Sequence, residues 1–284
     1  MRRLEIDIDG KKFIEPTNAR QFRVVFTIKS RYTERLSYAE IGIYNLSRNT
    51  QIEQGKTIEL RAGYDEEFGT IFRGRITTVL REREGANVIT RLLCLMNGQS
   101  LRNSIQASLG AGSTIFDALQ LCAQAWGLPL VIDPTQFDDV RPFVRGYVLN
   151  GDLAVCLDTL AKQFNFCWIE TADAIVIDRP DKDVSGLARE VSLFKGMIGV
   201  PEAEGDVIGA FVNVTHRLCP MMRMASKFEL KSEYASYSTG NFYIMPPKNG
   251  GKLSGFYKVV ELEHSGDSCG QRWETKIRGQ HING

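Results

Sequence analysis

Histidine is scarce in this chain: His216, His264 and His281 are all it has in 284 residues. No two of them have helical or H-x-H spacing, and no cysteine stands where it would complete a zinc set. No metal site is therefore expected, and each histidine reads as a structural or surface residue. Long apolar runs are also missing. None approaches the ~20 residues that a spanning helix needs, so no membrane insertion is expected. Charge of one sign is lacking as well, since 35 basic and 34 acidic residues leave a net charge of +1. A chain so balanced has no bulk attraction for nucleic acid or an anionic membrane. Among the six cysteines (Cys94, Cys122, Cys156, Cys167, Cys219 and Cys269) no C-x-x-C pair occurs. Most lie in apolar periodic segments, where reduced thiols act as small hydrophobes.

Catalytic signatures are absent in the same way. Gly110-Ala111-Gly112-Ser113-Thr114 precedes a helical pattern but lacks the Lys-Ser/Thr of a phosphate loop and the G-x-G-x-x-G spacing. It reads as a flexible entry with a serine cap. There is no G-x-S-x-G elbow. Glu66-Glu67 and Asp138-Asp139 are adjacent acids in polar segments, unlike two carboxylates held across a cleft. Cys156 has no activating neighbour in sequence. The expectation is a protein that is not an enzyme, with no catalytic, cofactor-binding or metal residues.

What is present is strand periodicity. The composition, 43% hydrophobic and 24% charged, is that of a globular chain with a sizeable core. The start, Met-Arg-Arg-Leu-Glu-Ile-Asp-Ile-Asp-Gly, alternates as a strand does, unlike a signal peptide, which points to a protein made and kept in a cytoplasm. Three zones follow. In residues 1–100 six strands are expected. Their inward sets are Leu4/Ile6/Ile8, Phe22/Val24/Phe26/Ile28, Ile41/Ile43, Ile58/Leu60/Ala62, Phe72/Gly74/Ile76/Thr78 and Val88/Thr90/Leu92/Cys94. A short helix capped by Ser47 and stopped at Gly55 interrupts them, and Arg81 to Gly85 forms a charged hairpin tip. This zone, a small β-sandwich or barrel, holds 17 basic and 13 acidic residues.

In residues 101–180 the period changes. Ser113 is the expected cap of a helix burying Ile115, Leu119, Cys122 and Trp126 and ending at Gly127. Strands are expected at Leu130–Ile132 and Phe143–Val148. Asp152 caps a second helix burying Leu153, Leu157, Leu160 and Phe164, and a hairpin runs from Phe166 to Ile177. This α+β module carries 5 basic and 9 acidic residues, and Asp178-Arg179-Pro180-Asp181 reads as its exit linker. Residues 181–284 return to β, with alternation over 211–217, 227–231, 256–263 and 273–278 and a flexible loop at Lys248–Lys252. The last hairpins of the two β zones echo each other, each with a threonine (Thr90, Thr275) on its second strand.

The stretch Ala39-Glu40-Ile41-Gly42-Ile43-Tyr44-Asn45-Leu46-Ser47 is followed by Ile58-Glu59-Leu60-Arg61-Ala62-Gly63-Tyr64 and then by Ile71-Phe72-Arg73-Gly74-Arg75-Ile76. This order resembles the N-terminal domain of bacteriophage tail hub proteins, the central baseplate component of tailed phages. Phe194-Lys195-Gly196-Met197-Ile198-Gly199-Val200-Pro201-Glu202, with Arg217-Leu218-Cys219-Pro220, resembles a later portion of the same family. The resemblance implies a mainly β fold, with two tail-tube-like barrel or sandwich domains (1–100 and 181–284) flanking an α+β module (101–180). It also implies likeness to contractile-tail tube proteins and to the base of type VI secretion spikes. A homotrimer would present six similar domains around a central channel, joining a sixfold tube to a threefold spike. The implied partners are tail tube, spike, baseplate wedge and tape-measure proteins, with DNA present only by passage through the channel. The implied location is the virion tail baseplate after assembly in the host cytoplasm. Asp65, Glu66, Glu67, Phe68, Arg83 and Glu84 are the candidate contact residues. The alternative is a nucleic-acid-binding β protein using Arg20, Arg23, Arg31, Arg35, Arg73, Arg75, Arg81, Arg83 and Arg91.

Overall fold

Residues that alternate apolar and polar bury one face of a strand and wet the other. In the computed structural model, which describes residues 1–15, 22–32, 37–47, 49–96, 103–171, 173–206, 209–238 and 253–282, this rule builds the first zone. The strands are β1 (Arg2–Ile8), β2 (Lys11–Ile14), β3 (Val24–Arg31), β4 (Tyr38–Tyr44), β5 (Thr57–Tyr64), β6 (Glu67–Glu84) and β7 (Asn87–Leu95). Leu4, Ile6, Val24, Phe26, Ile28, Ile41, Ile43, Ile58, Leu60, Phe72, Ile76 and Leu92 are buried. β2 was not anticipated, because only Phe13 and Ile14 in it are apolar. The helix expected over 47–55 is not formed among the described residues. Instead the Ser47 hydroxyl accepts the Asn49 N–H at 3.3 Å, and its carbonyl accepts that of Thr50 at 3.1 Å. A serine that bonds its own backbone makes a turn, and no apolar repeat there extends it.

The module contains β8 (Ser104–Leu109), α1 (Ile115–Trp126), β9 (Leu130–Val131), β10 (Tyr147–Asp152), α2 (Leu153–Phe164), β11 (Cys167–Glu170) and β12 (Ile175–Asp178). Thr114, not Ser113, caps α1. Its hydroxyl accepts the Asp117 N–H at 3.4 Å while the Asp117 carboxylate accepts the Thr114 N–H at 2.6 Å, a capping box. Gly127, at φ +80°, ends the helix. The strand expected at 143–148 begins later, at Tyr147, because β8 sets its register from Tyr147 opposite Leu109 to Asp152 opposite Ser104. Phe143 instead exchanges backbone bonds with Gly112 and Ser113, each 2.8 Å, and stacks on Tyr147.

The last zone contains β13 (Arg189–Ser192), β14 (Met197–Asp206), β15 (Gly209–Arg217), β16 (Lys227–Lys231), β17 (Ser236–Ser238), β18 (Gly255–Asp267) and β19 (Trp273–Ile282). Alternation marked β15, β16, β18 and β19. β14 was hidden by the Gly199-Val200-Pro201 interruption, where its pairing with β15 jumps from Ile198 to Glu202. The Lys248–Lys252 loop lies outside the described residues. Among the described residues, no helix is long and apolar enough to cross a membrane.

Both β zones share one sheet, ordered β17-β14-β15-β19-β18-β3-β4-β7-β6-β5-β1-β2, with β16 on β18 and β13 on β16. The seam is antiparallel, β3 on β18, from Val25 opposite Asp267 to Arg31 opposite Glu261. Opposed pairs across it carry opposite charge: Lys29 lies 3.7 Å from Glu263 and Arg31 lies 3.0 Å from Glu261. The fold is mainly β with an α+β insertion. Its core has three clusters. The first-zone cluster also takes Leu218 and Trp273 from the last zone. The module cluster packs both helices on Trp168, Ile175 and Ile177. The last-zone cluster takes Ile169 and Val176 from the other face of the same hairpin. β12 is therefore buried on both faces, which is why it reads as a continuous apolar run.

Gly266 sits on the seam with no room for a side chain. A Cβ there would lie 2.5 Å from the Phe26 ring and 2.7 Å from the Trp273 ring. Gly266→Ala is expected to lower stability by about 1–3 kcal/mol through overpacking, measured as a lower urea midpoint. An unchanged midpoint would show a loosely packed seam.

Candidate assembly site

Asp65 and Glu66 form the two-residue turn between β5 and β6, while Glu67 and Phe68 belong to β6 itself. The turn is tight because Gly63, at φ +152°, lets the Glu67 carbonyl come where a Cβ would be, 2.1 Å away. The Asp65 carboxylate accepts from the N-terminal ammonium at 2.7 Å, and that bond holds its pKa below the usual carboxylate value. Glu67 is ion-paired with Arg189 of β13. The Phe68 ring lies between two guanidiniums, 4.5 Å from Arg3 and 4.9 Å from Arg61. Glu66 is thus the member of the four that faces solvent without a described partner.

Arg83 and Glu84 sit at the far end of β6, beside the turn at Gly85. The two sets of candidate residues are therefore not brought together: β6 separates them by roughly 50 Å of extended chain. In the outer half of β6, Thr77–Glu84, the backbone pairs among the described residues with β7 alone, because β5 pairs only as far as Arg75. Arg83 donates to the Gly85 carbonyl at 3.2 Å, and Glu84 accepts from the Tyr44 hydroxyl at 3.4 Å. At the opposite end of the sheet, β17 covers β14 only over Glu202–Glu204. The outer edge of Met197–Pro201 has no strand beside it among the described residues. Ile198 and Val200 are exposed there, next to a fully exposed Phe194.

The first-zone arginines are largely neutralised where they stand. Arg23 pairs with Asp267 at 2.8 Å, Arg61 with Glu5 at 3.1 Å, Arg73 with Glu59 at 3.1 Å, and Arg91 with Glu40 and Glu82. Arg75 and Arg81 donate to the backbone carbonyls of Gly55 and Leu46. Arg20 and Arg35 lie outside the described residues.

The segment read as an exit linker is a buried polar joint. Lys258 of β18 is fully buried and places its ammonium 3.0 Å from the Asp178 carboxylate, 2.9 Å from the Arg179 carbonyl and 3.0 Å from the Lys182 carbonyl. Asp178 also accepts from the buried Gln136 amide at 2.9 Å. Arg179 reaches Asp139 at 2.6 Å and Asp181 at 3.1 Å. Burial raises the Asp178 pKa against the pull of Lys258 and Gln136. No sequence pattern marked this joint, because its partners lie about eighty residues apart and each looks like ordinary surface charge.

Both strand histidines are structural. His216 sets its ring nitrogens 2.6 Å from the Arg217 carbonyl and 2.8 Å from the Lys195 carbonyl. His264 is buried with its Nδ1 2.8 Å from the Thr275 hydroxyl. Burial pushes the Cys94 and Cys122 thiols up to about 12, the behaviour of inert core residues. Among the described residues, no three metal-ligating side chains come together.

The model of the family described as baseplate hub gp41 matches residues 2–247. The chain belongs to that family. Solved structures with the same fold include the 43 kDa tail protein of prophage MuSo2 from Shewanella oneidensis. It is 11% identical, with a TM-score of 0.62 over 99% of this chain and 98% of that one. A tail protein from Neisseria meningitidis MC58 is 10% identical, with a TM-score of 0.59 over 99% and 96%. The E. coli c3393 protein, a component of the type VI secretion system, is 9% identical, with a TM-score of 0.61 over 98% and 77%. No curated protein matches by sequence. Family membership gives the chain a structural role in a phage tail baseplate.

Two stability predictions follow from the buried polar groups. Lys258→Met strands the Asp178 carboxylate and is expected to cost about 3–5 kcal/mol in denaturant unfolding; Lys258→Met with Asp178→Leu should recover much of that loss. Burial holds the His264 pKa down at about 4. Below pH 6.5 the unfolded chain therefore binds a proton that the folded chain refuses. Stability from this group is complete above pH 6.5 and falls by about 3 kcal/mol as the pH drops toward 4. His264→Gln should flatten that part of the pH–stability curve.

Proposed function

We propose that three copies of this chain close into a ring that joins a sixfold tail tube to a threefold spike around a central channel. The observation that carries this reading is the pair of open edges on one sheet. Among the described residues, the outer half of β6 and Met197–Pro201 of β14 each lack a strand on one side, and open edges are a liability unless something pairs with them. Joined head to tail, copies satisfy both edges, and a heterologous contact whose rotation closes makes a ring. The seam between β3 and β18 is the same kind of junction made within one chain.

In this reading residues 1–100 and 181–284 act as two tube-like domains, and residues 101–180 form a module set beside them. Arg83 and Glu84 make contacts from the free edge, and Asp65 and Glu66 from the turn. Glu67 and Phe68 support that turn from behind, through Arg189, Arg3 and Arg61. The partners are tail tube, spike, wedge and tape-measure proteins. DNA meets the ring only in passing through it, and the particle forms in the host cytoplasm. The chain works by contact and not by turnover. No observation favours the nucleic-acid-binding alternative, since the described arginines it needs are held by carboxylates and carbonyls.

One chain weighs 31.9 kDa, so a closed trimer has a mass of about 96 kDa. Sedimentation equilibrium is expected to give that mass, and Arg83→Glu with Glu84→Arg to weaken the trimer at least tenfold. A stable dimer or tetramer would overturn the threefold reading.

A further inference from the structure

The three zones meet around a cavity of about 390 Å³, bounded by Ile71, Met96, Val176 and the loop Pro220–Ser226. That volume falls in the roughly 300–1,000 Å³ range of small-molecule sites. Met96, Met221, Met222 and Met224 supply much of the wall, and methionine adapts to irregular apolar shapes.

The buried polar side chains of its wall, Ser30, Ser37 and His264, gather in one place. His264 lines it while only 4% exposed. The Thr275 hydroxyl oxygen accepts the Cys219 N–H at 3.0 Å and lies 2.8 Å from His264 Nδ1. The direction of that bond follows the ring tautomer: with the ring proton on Nε2, the Thr275 hydroxyl donates to Nδ1. Nε2 has no partner among the described residues. On the neighbouring strand, opposite Leu262, stands Ser30. Its hydroxyl and that of Ser37, both buried, share a single bond of 2.6 Å. Whichever donates, one hydroxyl hydrogen of the pair is left over. A hydroxyl hydrogen without a described acceptor and an imidazole Nε2 without a described partner border an apolar space, an arrangement that suits a ligand or water. Arg73, Arg223 and Asp173 also line the cavity, Arg73 paired with Glu59 at 3.1 Å and Arg223 with Asp173 at 2.6 Å.

We propose that this cavity binds a medium-chain carboxylate, with its tail along the methionines and its head accepting from His264 Nε2 and from the Ser30–Ser37 pair. An ionised carboxylate only accepts, so it satisfies both donors and brings no hydrogen of its own to place. The cavity is distinct from the free strand edges, so the inference stands or falls apart from the ring.

The test is calorimetric titration of the full chain at pH 7 with decanoate and with decanol, which has the same tail and no carboxylate. Decanoate is expected to bind one to one, and decanol at least tenfold more weakly. Val131→Trp, at the exposed rim, should abolish decanoate binding without moving the thermal midpoint. His264→Leu should weaken binding tenfold or more, the loss of one hydrogen bond to a charged group. If that variant fails to fold, the wild-type His264 ring signals in an NMR pH titration give the same information. Bound carboxylate should raise the His264 pKa above its resting value. The absence of saturable decanoate binding would overturn the proposal, as would full binding by Val131→Trp. Equal affinity for decanol, or an unmoved His264 titration on binding, would overturn the carboxylate assignment.

Discussion

A backbone ladder between residues 25–31 and 261–267 holds the molecule together. Its two strands are separated by about 230 residues, so it closes a long loop, and its hydrogen bonds and ion pairs must offset that lost freedom. Once made, the ladder dictates much else. It sets His264 opposite Ile28 and Gly266 opposite Phe26. It brings Trp273 edge-on to Phe26, with ring centres 5.3 Å apart, and so completes the first core with a residue from the last zone. Neither β zone closes its core alone, and each outer edge of the shared sheet is left to face outward.

The helical module is attached by different physics. Its β11–β12 hairpin is apolar on both faces, one against the helices and one against the last-zone core. Apolar contact alone tolerates sliding. The fully buried Lys258, donating to one carboxylate and two carbonyls, does not, because any shift would leave a charge unpaired in the core. The joint thus fixes where the module stands against the sheet.

Much of the fold was legible in the sequence, for one reason. Where a segment has one buried face, the period of its apolar residues reports the element, as in β3, β4, β5, α1 and α2. Reading failed where tertiary context overrode local pattern. β14 was hidden by a glycine–valine–proline interruption, β10 took its register from β8, and Ser47 made a turn where a helix cap was expected. The family motif was legible through Tyr44-Asn45-Leu46-Ser47 and Ile71-Phe72-Arg73-Gly74. Of the candidate contact residues, charge and position marked Arg83 and Glu84 on a projecting hairpin. Sequence could not show that Glu67 is engaged by Arg189, a partner 122 residues away. The Lys258–Asp178 joint was invisible for the same reason.

The account comes down to edges. In the proposed ring, the sheet that runs through both β zones is continued by copies of itself at the stretches of β6 and β14 that lack a second described neighbour. The measurement that tests this most directly is electron microscopy of the purified protein, classified without imposed symmetry. The account predicts ring-shaped particles with threefold symmetry and an open centre. A solid twofold particle, with the β6 and β14 edges left on its outside, would contradict it.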